Sequence, residues 1–367
     1  MESQNIYHNK TAQWLSYLVV FVGLAFLPTF IDPFTLNQFS RYAVLAMLAV
    51  SVSLVWGFGG ILSLGQGIAF GLAAYGMGMT MQMQFQDPES NPIPSFMLTN
   101  ELSELPGLWV PFWNTEVGLL LALAVPTVFF VIFGALMFQA RVAGAFVAIM
   151  TLAMLAAWYS MAYDMQPFTA GFNGISPPLP FDWLGVSFDP YSPITYWVAL
   201  GLLAFVVLAS KLVLQSKFGL IIQAIRDDAE RVRFVGYNVA FYQVVIFAMS
   251  GFIAAIAGIT WVMLTQYVSP VLLEVQFSIA MVIWAAVGGR LSLMGAMIGA
   301  FLVNGMQSYV GDAFQSTWLL IIGGLFILVV RFLPKGIAGL IETGLGYVPI
   351  GRRRSDSMSS NPARAAE

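Results

Sequence analysis

The chain has 367 residues, 59% of them hydrophobic and 9% charged, with a net charge of −3 and a mean hydropathy of +0.81. Soluble domains carry roughly 25% charged residues, so this is the composition of an all-α polytopic membrane protein, and so small a net charge gives no footing for nucleic acid or an acidic substrate. Cysteine is absent and the single histidine, His8, lies in the polar N-terminal tail, which leaves no disulfide, thiolate metal site, cofactor site or histidine-based catalytic centre to be expected within the membrane.

Residues 1–13 read as a polar tail. The first apolar run, Trp14 to Ile31, follows Lys10 and exceeds the roughly 7–15 residues of a signal-peptide core without a small-x-small cleavage site, so it reads as an uncleaved span. Further runs able to cross at roughly 20 residues each fall at 42–58, 62–83, 117–138, 142–163, 194–214, 241–264, 276–289, 292–310 and 316–333. That makes ten predicted transmembrane helices within a membrane domain at 14–340, followed by a polar, unstructured tail at 341–367.

The third run is interrupted by Gly65, Gly67 and Gly71 within a Gly-rich stretch from Trp56 to Gly78. Glycine there permits close helix approach or a broken helix, and unwound backbone at membrane depth is tolerated only where protein buries it or water lines it. Ser63 and Gln66 sit at the interruption. They read either as part of a polar solute pathway or as packing residues, with Gln66 in one interhelical hydrogen bond.

The connections 84–116 and 164–193 contain no Lys or Arg but carry Asp87, Glu89, Glu101, Glu104, Glu116, Asp164, Asp182 and Asp189. Lys10, Arg141, the 211–233 cluster, Arg290, Arg331, Lys335 and Arg352 to Arg354 fall on the opposite side, and Arg41 is the basic residue out of place. The positive-inside rule makes the basic side cytoplasmic, with both termini inside. The two acidic loops, rich in Pro, Trp and Phe, read as interfacial lids or as a receiving surface for a partner that delivers solute.

A charged insert, residues 215–240, separates the sixth and seventh runs. Ile221, Ile225, Ala229, Val232 and Val235 recur at helical spacing, with Arg226, Asp227, Glu230 and Arg231 on another face. Arg226–Glu230 and Asp227–Arg231 are i,i+4 pairs worth roughly 0.2–0.5 kcal/mol each, and Gly236 before Asn238 is a helix stop. By itself the segment reads equally as a solvated inner loop and as a docking helix.

In the later runs Trp284, Asn304 and Gln307 are the polar or amphipathic pathway candidates, with helix–helix hydrogen bonding as the plainer role; Asn304 and Gln307 share a helix face at i,i+3. No acidic or basic residue is placed mid-span, which suits a neutral or zwitterionic solute better than proton or ion coupling. The string GG-x-LSL occurs at Gly59–Leu64 and again at Gly288–Leu293, either as related hairpins or as coincidence in a Gly- and Leu-rich chain.

Glu230-Arg231-Val232-x-x-x-Gly236 resembles the E-A-A-x-x-x-G cytoplasmic loop of ABC importer permeases, with Arg and Val in place of the alanines. Together with LSLGQGIAFGLAAYGMG (62–78), AIRDDAERVRFVGYN (224–238), AAVGGRLSLMGAMIGAFLVNG (285–305) and FLPKGIAGL (332–340), it is similar to the LivM-type branched-chain amino acid permease family. The combination VRFVGYN, IWAAVGGR and FLPKGI looks most like the urea-transporter (UrtC-like) branch. The resemblance implies a multi-pass subunit of a bacterial plasma membrane that pairs with a second, related permease. Two cytosolic ATPase subunits and an external substrate-binding protein would complete the system, with urea favoured as solute and branched-chain amino acids second.

On that resemblance Arg226, Asp227, Asp228, Glu230, Arg231 and Gly236 would contact the ATPase. The chain itself has no G-x-x-x-x-G-K-[ST] phosphate loop and reads as a transport subunit without its own ATPase site. A stand-alone channel or secondary transporter is the alternative, and such a protein has no need of the charged insert. An intramembrane enzyme fits worst, since the usual nucleophiles, bases and metal ligands are missing.

Overall fold

The computed structural model describes residues 10–310 except 88, 90 and 91, together with 323, 324, 327, 336 and 337. The predicted tenth span and the polar tail therefore lie, apart from those positions, outside the described residues. The described residues are mostly helical, and the principal helices are α1 (Lys10–Ala25), α2 (Pro33–Val52), α3 (Gln66–Met83), α4 (Thr115–Gln139), α5 (Ala145–Asp164) and α6 (Pro193–Gln215), then α7 (Lys217–Asp227), α8 (Ala229–Phe234), α9 (Val239–Thr265), α10 (Val275–Gly288) and α11 (Leu293–Val310).

At the centre lies α3, packed by α4 and α9, with every residue buried except Leu72. Its sequence is apolar all round, as a helix covered on every side requires. Small residues set the spacing: a Cβ on Gly258 of α9 would sit 2.2 Å from the Phe70 carbonyl oxygen of α3, and one on Gly76 would sit 2.9 Å from Ala122 Cβ of α4. Backbones that close gain dispersion contacts, which drive helix association where lipid is already apolar. The surfaces of α4 and α5 are mostly exposed large hydrophobics, the pattern of helices facing lipid or another apolar protein.

Among the described residues five helices are long and apolar enough to cross a membrane: Pro33–Phe58, which joins α2 to a π-helical end at Ser53–Phe58, then α4, α5, α6 and α9. The helices α10 and α11 become a sixth if counted as one broken span, for they meet at a 118° bend. With 14 residues, α10 is about 21 Å long, short of a hydrocarbon core of about 30 Å. Its predicted boundaries, 276–289, match to within one residue. The bend falls at Gly289, whose φ of 114° no ordinary L-residue adopts comfortably.

In place of a helix over 62–64, residues 60–64 are irregular, and α3 begins only at Gln66. The two acidic loops pack on each other. Trp109 Nε1 donates to the Phe168 carbonyl at 3.1 Å, and Gln84 Nε2 donates to the Asp182 carbonyl at 2.8 Å. Within the second loop β1 (Phe181–Trp183) and β2 (Val186–Phe188) pair antiparallel, turning through Leu184 and Gly185 with φ of 52° and 78°. Two consecutive positive φ values match the twist of such a hairpin.

Candidate functional site

The charged insert is two short helices, not the single predicted one. Ser216 caps α7 by accepting the Gly219 amide, and α7 stops at Asp228, which is extended at φ −157°, ψ 94°. Asp228 in turn caps α8, its carboxylate accepting the Arg231 amide at 3.1 Å. At the far end Gly236, φ 97°, closes α8: its amide donates to the Arg233 carbonyl at 3.0 Å and the Tyr237 amide to the Val232 carbonyl at 3.4 Å. That pairing is a Schellman stop, which needs a left-handed residue and so favours glycine. Asn238 then caps α9 through the Phe241 amide at 3.2 Å.

The break at Asp228 undoes the predicted i,i+4 pairs. Arg226 pairs instead with Asp227 at 2.9 Å and Arg231 with Asp228 at 2.8 Å, while Arg233 pairs with Glu230. The buried stripe shifts as well, to Gly219, Ile222 and Ile225. Ile221, Ala224, Val232 and Val235 are left lining a shallow cleft of about 170 Å³ with Arg231 and Tyr237. Beside it Phe234 is 89% exposed and Val235 76%. The apolar cleft and tip stand on an insert that also carries the exposed carboxylates of Asp227 and Glu230, and an apolar patch left to water is unfavourable.

Of the six residues predicted to form that surface, Arg226 differs. Its side chain is 28% exposed against 69% for Asp227, and its Nη1 donates to the Gly57 carbonyl at 3.1 Å. It faces the helix bundle. Gly57 belongs to the π-helical end of α2, and the Arg290 carbonyl lies so close that a Cβ on Gly57 would be 1.8 Å from its oxygen. Ser53 Oγ donates to that same carbonyl at 2.8 Å, and the Arg290 guanidinium lies 5.1 Å from the centre of the Trp56 ring. The inner end of α2, just before the first GG-x-LSL string, thus lies against Arg290 of the second.

Among the predicted pathway residues, Ser63, Gln66, Trp284 and Asn304 are buried and Gln307 is exposed. Ser63 Oγ accepts the Gly65 amide at 3.2 Å, and Gln66 Nε2 donates to Ser250 Oγ at 3.1 Å. Gln66 Oε1 and Trp284 Nε1 are buried with no hydrogen-bond partner among the described residues. Burying such atoms unpaired costs about 1–3 kcal/mol each. Asn304 turns back to its own helix, donating to the Ala300 carbonyl at 2.8 Å, while Gln307 at i,i+3 on the same helix face is exposed.

Sequence reasoning missed Thr151, Ser250 and Ser278. Thr151 Oγ1 accepts the Leu64 amide at 3.0 Å and Ser278 Oγ donates to the Leu64 carbonyl, so two hydroxyls from distant helices satisfy the unwound backbone beside Ser63. Isolated hydroxyls in apolar helices were the available signal. Lys211, grouped by sequence with the loop charges, lies inside α6 and is buried, its Nζ 3.7 Å from the centre of the Trp14 ring and 4.1 Å from that of Tyr17. Among the described residues no group of His, Cys, Asp or Glu is arranged to hold a metal.

No curated protein and no solved structure matches the chain. A family model described as branched-chain amino acid transport system / permease component matches residues 34–330, across the bundle, the insert and both glycine junctions. The chain belongs to the branched-chain amino acid transport permease family of ABC transport systems, whose permeases work with ATPase and substrate-binding partners.

Proposed function

We propose that the chain is one half of a heterodimeric importer pore in a bacterial inner membrane. In this reading residues 14–340 form the membrane domain with ten crossings and both termini cytoplasmic. Two ATPases bind the 215–240 segment, and an external binding protein delivers a small neutral or zwitterionic solute, urea first and branched-chain amino acids second. ATP-driven closure of the ATPases displaces α7 and α8, and the spans packed on them switch access from one side to the other.

The observation that carries this reading is the capped two-helix insert, with its exposed cleft and apolar tip, in a chain that belongs to a permease family. A passive channel or secondary transporter has no use for such a surface. The preference for urea rests on sequence resemblance and on the neutral character of the buried candidates Ser63, Gln66 and Trp284. These can donate and accept hydrogen bonds, but none of them balances a charge.

The test is uptake of labelled urea against labelled leucine by the complex reconstituted with its second permease, ATPases and binding protein. Uptake of urea that requires ATP hydrolysis is expected, and it should be lost when Glu230 and Gly236 are both altered although the chain still inserts. Solute flux without any ATPase would establish the channel or secondary-transporter alternative. Full ATP-dependent uptake with both positions altered would remove the insert from the mechanism.

A further inference from the structure

We propose that Arg226 is a positioning residue that locks the charged insert to both glycine junctions, so that α7, the inner end of α2 and the α10–α11 elbow move as one body. The proposal rests on the reading of the chain as an ATP-driven permease and assigns Arg226 a different place from the docking surface. Asp227 holds the guanidinium from one side, its Oδ1 accepting from Nε at 3.0 Å and Nη2 at 2.9 Å. The remaining Nη1 is thereby aimed at the Gly57 carbonyl, 3.1 Å away.

The aliphatic stem is engaged too. A Cβ on Gly60, φ 70°, would lie 2.6 Å from Arg226 Cγ, so the stem rests directly on the backbone that leads into residues 61–65. Carbonyls at a helix end lack intrahelical partners, and Gly57 lies in the last turn of the Ser53–Phe58 segment. Gly57 therefore has an acceptor free for the insert on one side and, on the other, a bare backbone against Arg290.

From Gly57 the contact continues to the α10–α11 elbow. Its backbone abuts the Arg290 carbonyl, Ser53 Oγ grips that carbonyl at 2.8 Å, and the Arg290 guanidinium covers Trp56. Arg290 sits in the 118° elbow, and α10 beyond it carries both Ser278, bonded to Leu64, and the unpartnered Trp284. Close-packed backbone transmits displacement because it cannot be compressed. A push on α7 would thus reach both broken segments that border Gln66 and Trp284.

The experiment uses the full complex in liposomes and reads solute imported per ATP hydrolysed, together with co-purification of the ATPases. Arg226→Met keeps the stem on Gly60 and removes the donor; Arg226→Lys restores a donor. Arg226→Met should retain the ATPases and ATP hydrolysis while solute per ATP falls roughly tenfold, within the usual range of coupling between sites, and Arg226→Lys should recover most of it. Ser53→Ala, which frees the Arg290 carbonyl without touching the insert, should act in the same direction and decides the matter if Arg226→Met does not fold.

Because the chain has no cysteine, spin labels at Leu220→Cys and Leu291→Cys, both exposed positions, report on the lock directly. Their separation should stay fixed between nucleotide-free and ATP-bound states in the otherwise unmodified chain and should change between them with Arg226→Met. Wild-type solute per ATP in Arg226→Met or, if that variant does not fold, in Ser53→Ala would overturn the proposal. So would loss of ATPase binding in Arg226→Met, or a label separation that changes with nucleotide in the otherwise unmodified chain. Absence of any ATP-dependent uptake by the wild-type complex would instead defeat the transporter reading on which the proposal stands.

Discussion

Asp228 holds Arg231 twice, accepting its backbone amide at 3.1 Å and pairing with its guanidinium at 2.8 Å. The two bonds are unequal in weight. Arg231 is 86% exposed in that pair, and surface ion pairs contribute about 0–1 kcal/mol. The amide, by contrast, is one of the four that every helix start leaves unsatisfied, and losing a cap costs about 1 kcal/mol. Asp228 therefore acts mainly as a cap that keeps α7 and α8 separate and angled.

Asp228→Ala should let the two helices fuse or fray, with faster hydrogen exchange at residues 229–231 and a several-fold loss of ATP-driven uptake. Asp228→Ser keeps a capping oxygen without the charge and should stay near wild type in both measurements. If Asp228→Ser is as defective as Asp228→Ala, the ion pair rather than the cap is what counts.

Gly236 is the other determinant of the insert's shape. A Cβ added there meets nothing within 4 Å, so a substitution tests backbone conformation alone. At φ 97° an L-residue is strained by roughly 1–2 kcal/mol. Gly236→Ala should lower insert stability by about that amount and Gly236→Asn by less, because Asn tolerates left-handed backbone better than Ala. Protease sensitivity across residues 217–238, measured at matched expression, should rank wild type, Asn and Ala in that order.

Much of this architecture was legible in the sequence, and the parts that were not share a cause. Apolar runs located the helices, and the glycine pair at 288–289 placed the α10–α11 boundary to a residue, because composition and punctuation are local. The break at Asp228 was also local, an acidic cap followed by Ala229 and Glu230. Counting i,i+4 charge pairs concealed it. The Ser278–Leu64 bond and the inward turn of Arg226 depend on partners more than 150 residues away, and no periodicity encodes those. Asn304 and Gln307 share a helix face, yet one is buried and the other exposed, because cover depends on neighbours and not on spacing.

Two glycines separate packing from propensity. Gly258 lies against the Phe70 carbonyl, where a Cβ would be 2.2 Å from oxygen, whereas a Cβ on Gly201 of α6 has nothing within 4 Å. Gly258→Ala must push α9 off α3 and should cost about 1–3 kcal/mol or more. Gly201→Ala removes helix-interior glycine without a clash and should gain up to about 1 kcal/mol. Thermal unfolding in detergent should show shifts of opposite sign.

Asp32 caps α2, its Oδ2 accepting the Thr35 amide at 3.0 Å. That backbone bond, with the Thr35 side chain adding to it, holds the carboxyl below its ordinary value of 3.8. A depressed folded value means the cap's contribution is complete above the unfolded value and disappears as pH falls through the folded one. Asp32→Asn keeps an acceptor but cannot titrate. Melting temperature followed downward from pH 5 should therefore fall less steeply in Asp32→Asn than in wild type, and identical slopes would show that the cap is not formed.

Lys211 presents a buried ammonium with no hydrogen-bond partner among the described residues, held only between the faces of Trp14 and Tyr17. An ammonium over an aromatic face gains about 0.5–2 kcal/mol, more when water is excluded. These rings belong to α1 and the lysine to α6, so the contact fixes the first helix to the bundle. Trp14→Leu keeps an apolar cover but removes the ring that attracts the charge, and should destabilise the protein by about 1–2 kcal/mol. Lys211→Met removes the charge and its need together while keeping a stem of similar shape, and should cost less, as happens when a buried charge gives way to an apolar group of like volume. In the double variant the tryptophan no longer has a cation to hold, so its loss should matter less than in wild type. A double-mutant cycle should give a coupling of about 0.5–2 kcal/mol between the two positions. Strict additivity would mean that Lys211 is held by packing of its stem and that the rings serve only as apolar cover.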